Sequence, residues 1–536
     1  MPIKSLRCAA LFATSLLASS AVAQDSCAKL MSAKISGATM LLAAAIPAGG
    51  FAGPPGPASG RDLTAPYKSV PAFCRVVSVA TPTTDSEIRI ELWLPASGWN
   101  GRLQGIGNGG FAGAIDYVQL GTSVRKGYAA VATDAGHTGT PVDAAWALGH
   151  PEKVVDFGHR GIHEMTRVAK EVIQAFYGKA AQRSYFAGCS DGGREALMEA
   201  QRYPADYDGI LAGAPANYWT ALLTTAALDT QALTLDAASF IPPAKIPAIA
   251  TAVNAACDEL DGVHDGILND PRHCHFDPAT IRCKTGDNEK CLTAPQVVAL
   301  KKLYAGPHDS HGKEVFPGYL PGAEDGPGGW GLWITGPAPL KSLLAFFQFG
   351  YFADMVYENP DWDNRTFAVE PGLKLAEQKT ASAVNAVEAD LNSFKSRGGK
   401  LIVYHGWNDP AITALNTVNY YQSVVAKMGQ REVDAFARLY MVPGMQHCDN
   451  GPGADSFGQV GRLTFDDPKH SVNASLVEWV ERGVAPETII ASKYAADDMQ
   501  HALMTRPLCA YPKAIKYKGA GDTNDAANFT CEARKK

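Results

Sequence analysis

The spacing of hydrophobic residues predicts a series of buried strands in the first part of the chain. Across residues 86–94 the apolar side chains occupy every second position, which is the period of a half-buried strand. Four compact apolar runs follow, and each ends in a turn rich in glycine or polar residues. We expect these runs to be strands at Arg102–Ile106, Tyr128–Thr133, Ser184–Ala187 and Tyr207–Ala212.

Helices are predicted between these strands. In Ile162–Tyr177 the apolar residues recur every three or four positions, which is typical of an amphipathic helix packed on a sheet. Arg194–Arg202 contains neither glycine nor proline and is rich in helix-forming residues. Strands that alternate with helices favour an α/β fold around a mostly parallel sheet.

The alternation stops at about Trp219 and returns only with a buried strand that ends at Gly406. A further strand, Phe436–Val442, is expected to be the last one. An insertion of this length is expected to lie over the carboxyl ends of the strands as a lid, because long irregular segments in compact enzymes usually carry function. The predicted core has two parts, residues 24–218 and residues 398–536, and the predicted lid insertion between them is residues 219–397.

The N-terminus has the pattern of a Sec-type signal peptide. Lys4 and Arg7 precede an apolar run at Ala9–Leu17, and Ala21-Val22-Ala23 supplies a small-x-small cleavage site. A buried N-terminal helix would not explain a basic start followed by such a site. We therefore exclude residues 1–23 from the fold and expect a freely soluble protein, exported to the periplasm or the medium.

Cysteine usage agrees with export. Ten of the 11 cysteines remain without Cys8, and this even number is able to close five disulfides in an oxidising compartment. Close cysteine pairs occur without Cys-x-x-Cys spacing, which argues against a zinc site or thiol redox chemistry. Residues 24–68 show little periodicity beyond Ala38–Ile46, so we expect a loosely structured segment held by Cys27.

Charge and length narrow the classes of partner. The formal net charge is −6 and the isoelectric point is about 6.1, so the chain has no basic excess to attract nucleic acid or an anionic membrane. The length of 536 residues allows one large core together with a large insertion. The oligomeric state is left open by the sequence.

Candidate chemistry begins at Gly188-Cys189-Ser190-Asp191-Gly192, between a predicted strand and a predicted helix. These residues match Gly-x-Ser-x-Gly, the nucleophile elbow, in which glycines allow a tight turn that holds a serine hydroxyl at the end of a sheet. The bare pattern is weak evidence in a chain with 52 glycines. Its place between strand and helix indicates a nucleophilic Ser190, with the start of the helix facing any oxyanion.

Asp409 and His447 complete a candidate catalytic triad. Each follows one of the two returning strands, so the order along the chain is serine, acid, histidine, as in α/β-hydrolases. His137 and His405 also lie near strand ends and compete for the role of the base, but neither follows a candidate acid in the right loop. The triad indicates acyl transfer.

A Gly-rich loop, Gly107–Phe111, directly follows the predicted strand Arg102–Ile106. This is where α/β-hydrolases place their second oxyanion donor, because glycine lets a backbone N–H approach the reacting carbonyl. A plain flexible loop has the same sequence pattern, so the assignment depends on the elbow downstream.

Cysteines flank two of the three candidate catalytic residues. Cys189 precedes Ser190, and Cys448 follows His447. If Ser190 and His447 lie within hydrogen-bonding reach, a disulfide between their neighbours is geometrically reasonable. Two independently chosen catalytic residues rarely both have a neighbouring cysteine by chance, so each assignment supports the other.

The motifs Gly-Cys-Ser-Asp-Gly-Gly, His-Gly-x-x-Asp-Pro and Gly-x-x-His-Cys together resemble the tannase/feruloyl esterase family. This family of the α/β-hydrolase superfamily includes feruloyl esterases, tannases and a terephthalate monoester hydrolase. The resemblance runs from about Cys27 to the C-terminus and implies an α/β-hydrolase core with a large, irregular, disulfide-containing lid insertion. The implied roles are nucleophile for Ser190, acid for Asp409, base for His447, and oxyanion N–H donors for Asp191, Gly109 and Gly110.

The same resemblance implies a set of disulfides, including the one expected beside the triad. All ten cysteines of the mature chain are used in it. The expected pairs are Cys27–Cys74, Cys189–Cys448, Cys257–Cys274, Cys283–Cys291 and Cys509–Cys531.

The family also carries a structural calcium ion in its lid, and the matching segment is residues 257–267. Three carboxylates broken by two glycines suit a hard cation bound by oxygen, although an ordinary acidic loop is the simpler interpretation of the residues alone. The ligands implied by the resemblance are the side chains of Asp258, Asp261 and Asp265 and the carbonyls of Val263 and Ile267.

The function implied by the resemblance is that of a secreted serine carboxylic-ester hydrolase without an organic cofactor. Its expected substrates are small-molecule or plant-derived esters of hydroxylated aromatic acids, of the feruloyl or galloyl type. Other aryl or alkyl esters are an alternative, and so is a non-catalytic polyphenol- or carbohydrate-binding protein on the same fold, although the intact triad speaks against it. A serine peptidase is disfavoured because nothing in the chain resembles a propeller or another peptide-gating domain.

Aromatic residues are dense in the insertion between Trp330 and Trp362, and their sequence leaves two roles open. Most of these rings are expected to form the insertion's own core. Part of the run is expected to form an acyl-group pocket that stacks on the ring of an aromatic ester. The sequence does not distinguish the rings that face the site.

Overall fold

The computed structural model describes residues 25–54, 65–495 and 498–533, and the predicted signal peptide lies outside them. A nine-stranded sheet forms the centre of the molecule. Its strands are Ala38–Ile46 (β1), Phe73–Ala80 (β2), Ile88–Pro95 (β3), Arg102–Ile106 (β4), Ala129–Thr133 (β5), Arg183–Cys189 (β6), Gly209–Gly213 (β7), Lys400–Gly406 (β8) and Ala437–Val442 (β9).

Strand order and direction make this sheet the α/β-hydrolase sheet that the motifs implied. The order is β1-β2-β3-β5-β4-β6-β7-β8-β9. β1, β2 and β3 pair antiparallel, β3 also pairs antiparallel with β5, and all pairs from β5 through β4 to β9 are parallel. The connection that leaves β4 leads to β5 on one side, and the connection that leaves β6 leads to β7 on the other side. The carboxyl ends of β4 and β6 therefore border a crevice, which is where open α/β sheets bind ligands.

Four α-helices lie between β4 and β7 in the described part of the chain. They are Tyr117–Arg125 (α1), Pro151–Val155 (α2), Gly161–Tyr177 (α3) and Asp191–Arg202 (α4). α3 is the amphipathic helix that the sequence predicted, and it buries Met165, Val168 and Val172 against the sheet. α4 begins at Asp191, before the predicted start, and most of its side chains are buried.

The antiparallel edge of the sheet is more buried and more extended than its sequence predicted. β3 alternates only at its start, because Glu91 and Trp93 on the opposite face are also fully buried. Trp93 stacks on Phe73 at 4.2 Å and donates its indole N–H to Glu91 at 2.8 Å. The prediction of a loosely structured segment at residues 24–68 is wrong for β1, which forms the edge of the sheet. This strand is rich in alanine, and its pairing with β2 decides its structure.

The insertion, residues 219–397, lies between β7 and β8 and contributes no strand to the nine-stranded sheet. It holds more helix than the sequence predicted. Its first helix is buried on most of its surface and therefore shows no single apolar stripe in the sequence. Its α-helices are Trp219–Thr234 (α5), Ile246–Cys257 (α6), Ala294–Ala305 (α7), Trp330–Trp333 (α8), Leu343–Gly350 (α9), Val369–Val384 (α10) and Asn392–Ser396 (α11).

The C-terminal part of the chain adds helices to the sheet and two small sheets of its own. The helices are Ala414–Met428 (α12), Gln430–Asp434 (α13) and Val472–Arg482 (α14). β9 is the last strand of the large sheet, but the expectation that it ends the strands of the chain is wrong. Two antiparallel pairs follow, Thr488–Ala495 (β10) with Asp498–Cys509 (β11) and Ala514–Tyr517 (β12) with Phe529–Glu532 (β13).

None of the helices in the described ranges combines the length and hydrophobicity needed to span a bilayer.

Five disulfides join parts of this fold. The disulfides are the pairs that the resemblance implied. They are Cys27–Cys74, Cys189–Cys448, Cys257–Cys274, Cys283–Cys291 and Cys509–Cys531.

Candidate active site

Ser190 lies in a sharp turn between β6 and α4. Its backbone has φ 66° and ψ −121°, in the positive-φ region that residues other than glycine rarely adopt. A Cβ on Gly188 would lie 2.5 Å from the Gly192 backbone, and a Cβ on Gly192 would lie 2.8 Å from the Asn108 carbonyl. Both positions therefore require glycine, and the strained turn presents the serine at the carboxyl edge of the sheet.

Asp409 and His447 form a hydrogen-bonded pair. His447 Nδ1 donates to Asp409 Oδ2 at 2.8 Å, and Asp409 Oδ1 accepts the N–H groups of Ala411 and Ile412 at 2.8 and 2.9 Å. Burial alone would raise the pKa of Asp409, but His447 and then His405 outweigh it and hold the pKa well below its usual value. The carboxylate keeps the proton of His447 on Nδ1, which leaves Nε2 available as a base.

Ser190 and His447 line one cavity of about 940 Å³. Cys189 and Cys448 line it as well, and their disulfide spans Cα atoms 6.0 Å apart. The disulfide joins the residue before the serine to the residue after the histidine. It therefore holds the elbow and the histidine loop together at the cavity.

The insertion supplies one wall of this cavity through Trp333, Leu343 and Phe347. The Trp333 ring meets the His447 imidazole edge to face, with ring centroids 4.7 Å apart and planes at 73°. Trp333 also lies nearly parallel to Phe347, at a centroid distance of 6.3 Å. The aromatic wall is therefore in direct contact with the candidate base.

The other aromatic residues of the insertion that we describe lie away from the cavity, either buried in a core or exposed at the surface. Trp330, Tyr351 and Phe352 are at most 2% exposed and pack inside the insertion or against the core. Phe346 and Phe349 are 40% and 43% exposed and do not line the cavity. The structure thus selects Trp333 and Phe347 from a run in which the sequence marked no single ring.

His405, one competing candidate for the base, supports the acid instead. It is fully buried and its Nδ1 bonds to Thr417 Oγ1 at 2.7 Å. Its Nε2 lies 2.9 Å from the Ile412 carbonyl and 3.1 Å from Asp409 Oδ2. Both ring nitrogens are occupied away from the cavity, so His405 has no path to Ser190.

His137, the other competing candidate, supports the Gly-rich loop. Its Nε2 donates to the Phe111 carbonyl at 2.7 Å, and its ring stacks on Trp146 at 3.7 Å. Burial lowers the pKa of His137 to about 4, so the imidazole is neutral at neutral pH. Of the three candidate histidines, only His447 lines the cavity.

Three backbone amides beside the cavity are the candidate oxyanion donors. The Asp191 N–H opens α4 directly after Ser190, and Gly109 and Gly110 line the same cavity. None of these three amides donates to an acceptor in the part of the protein that the structure describes. Unpaired N–H groups beside a nucleophile are the donors that a tetrahedral oxyanion requires.

Comparisons with known proteins place the chain in a family. The family model described as "Tannase and feruloyl esterase" matches residues 74–532. The chain belongs to this family. An uncharacterized esterase of Xanthomonas campestris pv. campestris is 39% identical over 530 residues, which cover 94% of this chain and 91% of that protein.

Two fungal relatives carry the name feruloyl esterase B. A probable feruloyl esterase B of Aspergillus clavatus is 34% identical over 465 residues, 86% of each chain. The crystal structure of feruloyl esterase B from Aspergillus oryzae has a TM-score of 0.85 at 28% identity, and the match covers 95% of this chain and 100% of that one. The protein is a carboxylic ester hydrolase of the feruloyl esterase and tannase type.

The insertion is hydrogen-bonded to the loops that carry the candidate acid and the candidate base. Asn408, which precedes the acid, donates to the Pro321 carbonyl at 2.9 Å. Gln446, which precedes the base, donates to the carbonyls of Ala323 and Asp325 at 2.8 and 2.7 Å. No local sequence pattern marks these contacts, because each joins segments far apart in the chain.

The acidic loop expected to hold calcium curls back on itself after α6. Asp258 Oδ1 accepts the Gly266 N–H at 2.9 Å. Asp261 accepts the N–H groups of Val263 and Asn269, at 3.1 and 2.9 Å. These bonds turn the carboxylates inward. Backbone N–H groups of the loop thus hold the side chains of Asp258 and Asp261, two of the calcium ligands that the family resemblance implied.

Excess negative charge and unpaired carbonyls collect in this loop. Burial, together with the carboxylates of Asp265 and Asp258, raises the pKa of Asp261 to about 6. Val263 and Ile267 are buried, and their carbonyl oxygens accept no hydrogen bond from the described residues. Oxygen atoms of this kind are ligands that a hard cation takes, but Arg506 donates to Asp265 Oδ2 at 2.5 Å, so one of the three carboxylates already has a cationic partner.

Proposed function

We propose that this esterase hydrolyses esters of hydroxylated aromatic acids, of the feruloyl or galloyl type, through a Ser190–His447–Asp409 acyl-enzyme mechanism. One observation carries the proposal: the strained Ser190 and the His447 held by Asp409 share a cavity whose insertion wall is aromatic. A serine beside a base that is oriented by a carboxylate is the usual activated nucleophile. An aromatic wall favours an aryl acyl group.

In the first step, His447 Nε2 takes the Ser190 proton while Ser190 Oγ attacks the ester carbonyl carbon. The carbonyl oxygen becomes an oxyanion, and the N–H groups of Asp191, Gly109 and Gly110 hold it. His447 then gives the proton to the leaving oxygen, and the alcohol departs. In the second step His447 deprotonates a water molecule, which attacks the acyl carbon. His447 then returns that proton to Ser190 Oγ as the bond to the acyl group breaks and the acid leaves.

Asp409 contributes to both steps by staying ionised. Its lowered pKa keeps a negative charge beside the imidazole, where that charge stabilises the imidazolium formed in each transition state. His405 adds a contact to the same carboxylate oxygen that His447 uses. The acid is therefore fixed in place by neighbours on both sides.

Trp333 and Phe347 are the residues that we propose to recognise the acyl ring. Aromatic pairs add roughly 0.5–1.5 kcal/mol beyond burial, enough for a preference of about tenfold. No lysine or arginine is among the described residues that line the cavity. An acyl ring that carries a second carboxylate, as in a terephthalate monoester, would find no counter-ion there, which favours an uncharged phenolic ring.

A panel of esters tests this function. Methyl ferulate, methyl gallate and p-nitrophenyl acetate are assayed with the wild type and with Trp333→Leu and Phe347→Leu. We expect the wild type to prefer an aryl ester in kcat/KM, and each variant to lose about tenfold of the aryl-to-acetyl ratio. The ratio is the readout because any effect of Trp333 on His447 changes both rates alike.

Phe349→Leu is the matched control for this panel. Phe349 lies in the same helix as Phe347, but its ring is exposed and does not line the cavity. It is expected to leave the ratio unchanged. An unchanged ratio in folded Trp333→Leu and Phe347→Leu would make the insertion only a cover, and wild-type failure on all three esters would favour a binding protein without turnover.

We also propose that Asp258, Asp261 and Asp265, with the carbonyls of Val263 and Ile267, hold calcium as a structural ion. The ion would place a positive charge beside Asp261, whose pKa is raised by burial and then by the carboxylates of Asp265 and Asp258. It would also supply a partner for the two unpaired carbonyls. None of these residues lines the catalytic cavity, so the ion supplies stability and takes no part in the chemistry.

Chelation is expected to lower the thermal midpoint and to leave initial rates at low temperature nearly unchanged. An ion that binds only the folded state stabilises it by about 2.7 kcal/mol at 100 times its Kd. Differential scanning calorimetry with EGTA, and with calcium added back, measures the shift. Asp261→Asn is expected to abolish the response, whereas Asp287→Asn, an acidic residue of a different turn in the insertion, keeps it. A melting curve that ignores both chelator and calcium would contradict the site.

Export to an oxidising compartment is the last part of the proposal. Its support is the predicted signal peptide and the five disulfides, because such bonds persist mainly outside the cytosol. N-terminal sequencing of protein recovered from the periplasm or medium should find Gln24 as the first residue. A full-length chain retained in the cytosol would refute it.

A further inference from the structure

The backbone of Asn108, at the start of the oxyanion loop Gly107–Phe111, is held by helix α4 on both sides of its Cα atom. Its N–H donates to Glu195 Oε2 at 2.8 Å, and its carbonyl accepts the Gly192 N–H at 2.8 Å. α4 also begins with Asp191, the other oxyanion donor. One helix therefore carries one donor amide and fixes the entry to the loop that carries the other two.

Glu195 is an unusual residue for this position because its side chain is fully buried. Its Oε2 meets Asn108, and its Oε1 has no partner among the described residues. Burial, and then the charge of Asp191, raise the pKa of Glu195 well above its usual value, by more than Arg194 and the Asn108 N–H lower it. A neutral carboxyl group still accepts a hydrogen bond. It also places no negative charge near the oxyanion, and such a charge would oppose the formation of the oxyanion.

The oxyanion loop is closely fitted to the elbow at this point. A Cβ on Gly107 would lie 2.8 Å from Gly192 Cα and 3.1 Å from Glu195 Oε2. Past Asn108, Phe111 donates its N–H to the Pro141 carbonyl at 2.7 Å. The amides of Gly109 and Gly110 thus lie between two fixed points and remain unpaired within the described residues.

We infer that Glu195 is a positioning residue for ester hydrolysis, whose carboxyl group holds Asn108 so that the Gly109 and Gly110 amides face the oxyanion. The inference rests on the proposed serine mechanism. The Gly109 N–H shares one planar peptide unit with the Asn108 carbonyl, which the Gly192 N–H holds, and Glu195 holds the preceding peptide unit, so the two bonds together set the direction of the first glycine amide. Without Glu195 the Asn108 N–H would be buried and unpaired, and the loop would have to move to satisfy it.

Two substitutions of Glu195 separate the effect of its hydrogen-bond acceptor from the effect of its side-chain volume. Glu195→Gln keeps a neutral acceptor, and we expect kcat within about threefold of wild type. Glu195→Met keeps the size but removes the acceptor, and we expect kcat for methyl ferulate to fall about 10- to 100-fold with KM unchanged, less than the loss of an oxyanion donor outright. An arylboronic acid, which forms a tetrahedral adduct with Ser190, should bind the Met variant more weakly by a similar factor, while inhibition by ferulate stays constant.

Glu199→Met is the matched control. Glu199 lies one turn later in α4, is also fully buried with a raised pKa, and makes no contact with the oxyanion loop. It is expected to lower the thermal midpoint without lowering kcat. If Glu195→Met does not fold, Glu195→Asp, which withdraws the carboxyl group from Asn108, takes its place with the same expected loss.

Three results would overturn the inference: wild-type kcat in folded Glu195→Met or Glu195→Asp, an equal loss of kcat in Glu195→Gln, or an equal loss in Glu199→Met. Failure of the proposed function is a different result, because the wild type would then hydrolyse none of the esters. The wild-type panel is therefore measured before the variants are compared.

Discussion

Replacing Ser190 with alanine is expected to lower kcat for methyl ferulate by roughly a million-fold, with little change in KM. The substitution removes only the hydroxyl that forms the covalent bond to the acyl group. The cavity and the oxyanion amides still bind the ester, so a small residual rate over water is expected. Steady-state hydrolysis, combined with labelling by an arylphosphonate probe, measures both turnover and loss of the nucleophile.

Ser184→Ala is the matched control for this experiment. Ser184 is a buried serine in β6, the strand that leads to Ser190, and it does not line the cavity. It should keep wild-type kcat and react with the probe. A Ser190→Ala protein that retained wild-type turnover and labelling would remove Ser190 from the mechanism and return the choice of nucleophile to the remaining residues of the cavity.

Asp409→Asn is expected to lower kcat about ten-thousand-fold while the fold is retained. The asparagine oxygen is able to accept the N–H groups of Ala411 and Ile412 that Asp409 Oδ1 now accepts. Its NH₂ group then faces His447 Nδ1, where the wild-type carboxylate accepts a proton. The imidazole is driven to the tautomer with the proton on Nε2, which no longer accepts the proton of Ser190.

The control is Asp449→Asn, which removes another carboxylate close to the same histidine. Asp449 Oδ1 accepts a hydrogen bond from Asn450 and makes none with the His447 ring. Because only electrostatic influence is lost, we expect a change in kcat of less than about tenfold. Pre-steady-state kinetics with p-nitrophenyl acetate show whether acylation is the step that slows. Equal losses in the two variants would mean that general charge, not the hydrogen bond of Asp409, supports His447.

The parallel half of the sheet was predictable because its strands are buried on both faces. Such strands appear in the sequence as continuous apolar runs, and β4 has the predicted bounds, Arg102–Ile106. Strands β1 and β11 lack this mark. The first is rich in alanine, and the second is largely exposed over its first half. Pairing with a neighbouring strand decides their structure, and that partner is not visible in a local pattern.

The candidate triad was predictable for a related reason. A strained turn at Ser190 requires glycine on both sides, so the local sequence must record it. Asp409 and His447 were found from their order after strands, and the cysteines beside Ser190 and His447 tied the two loops together. Each of these signals spans only a few residues, and the motifs that combine them also identified the family.

The sequence by itself thus determined the α/β-hydrolase class, the family and the residues proposed for the triad, because each depends on short-range steric requirements. Only the tertiary structure decided which groups surround them. Asn108 and Glu195 are 87 residues apart, and the contact of Trp333 with His447 joins the insertion to the core. Buried polar contacts and ring contacts of this kind depend on how distant segments pack. No local sequence pattern indicates a partner that a residue contacts only in the folded protein.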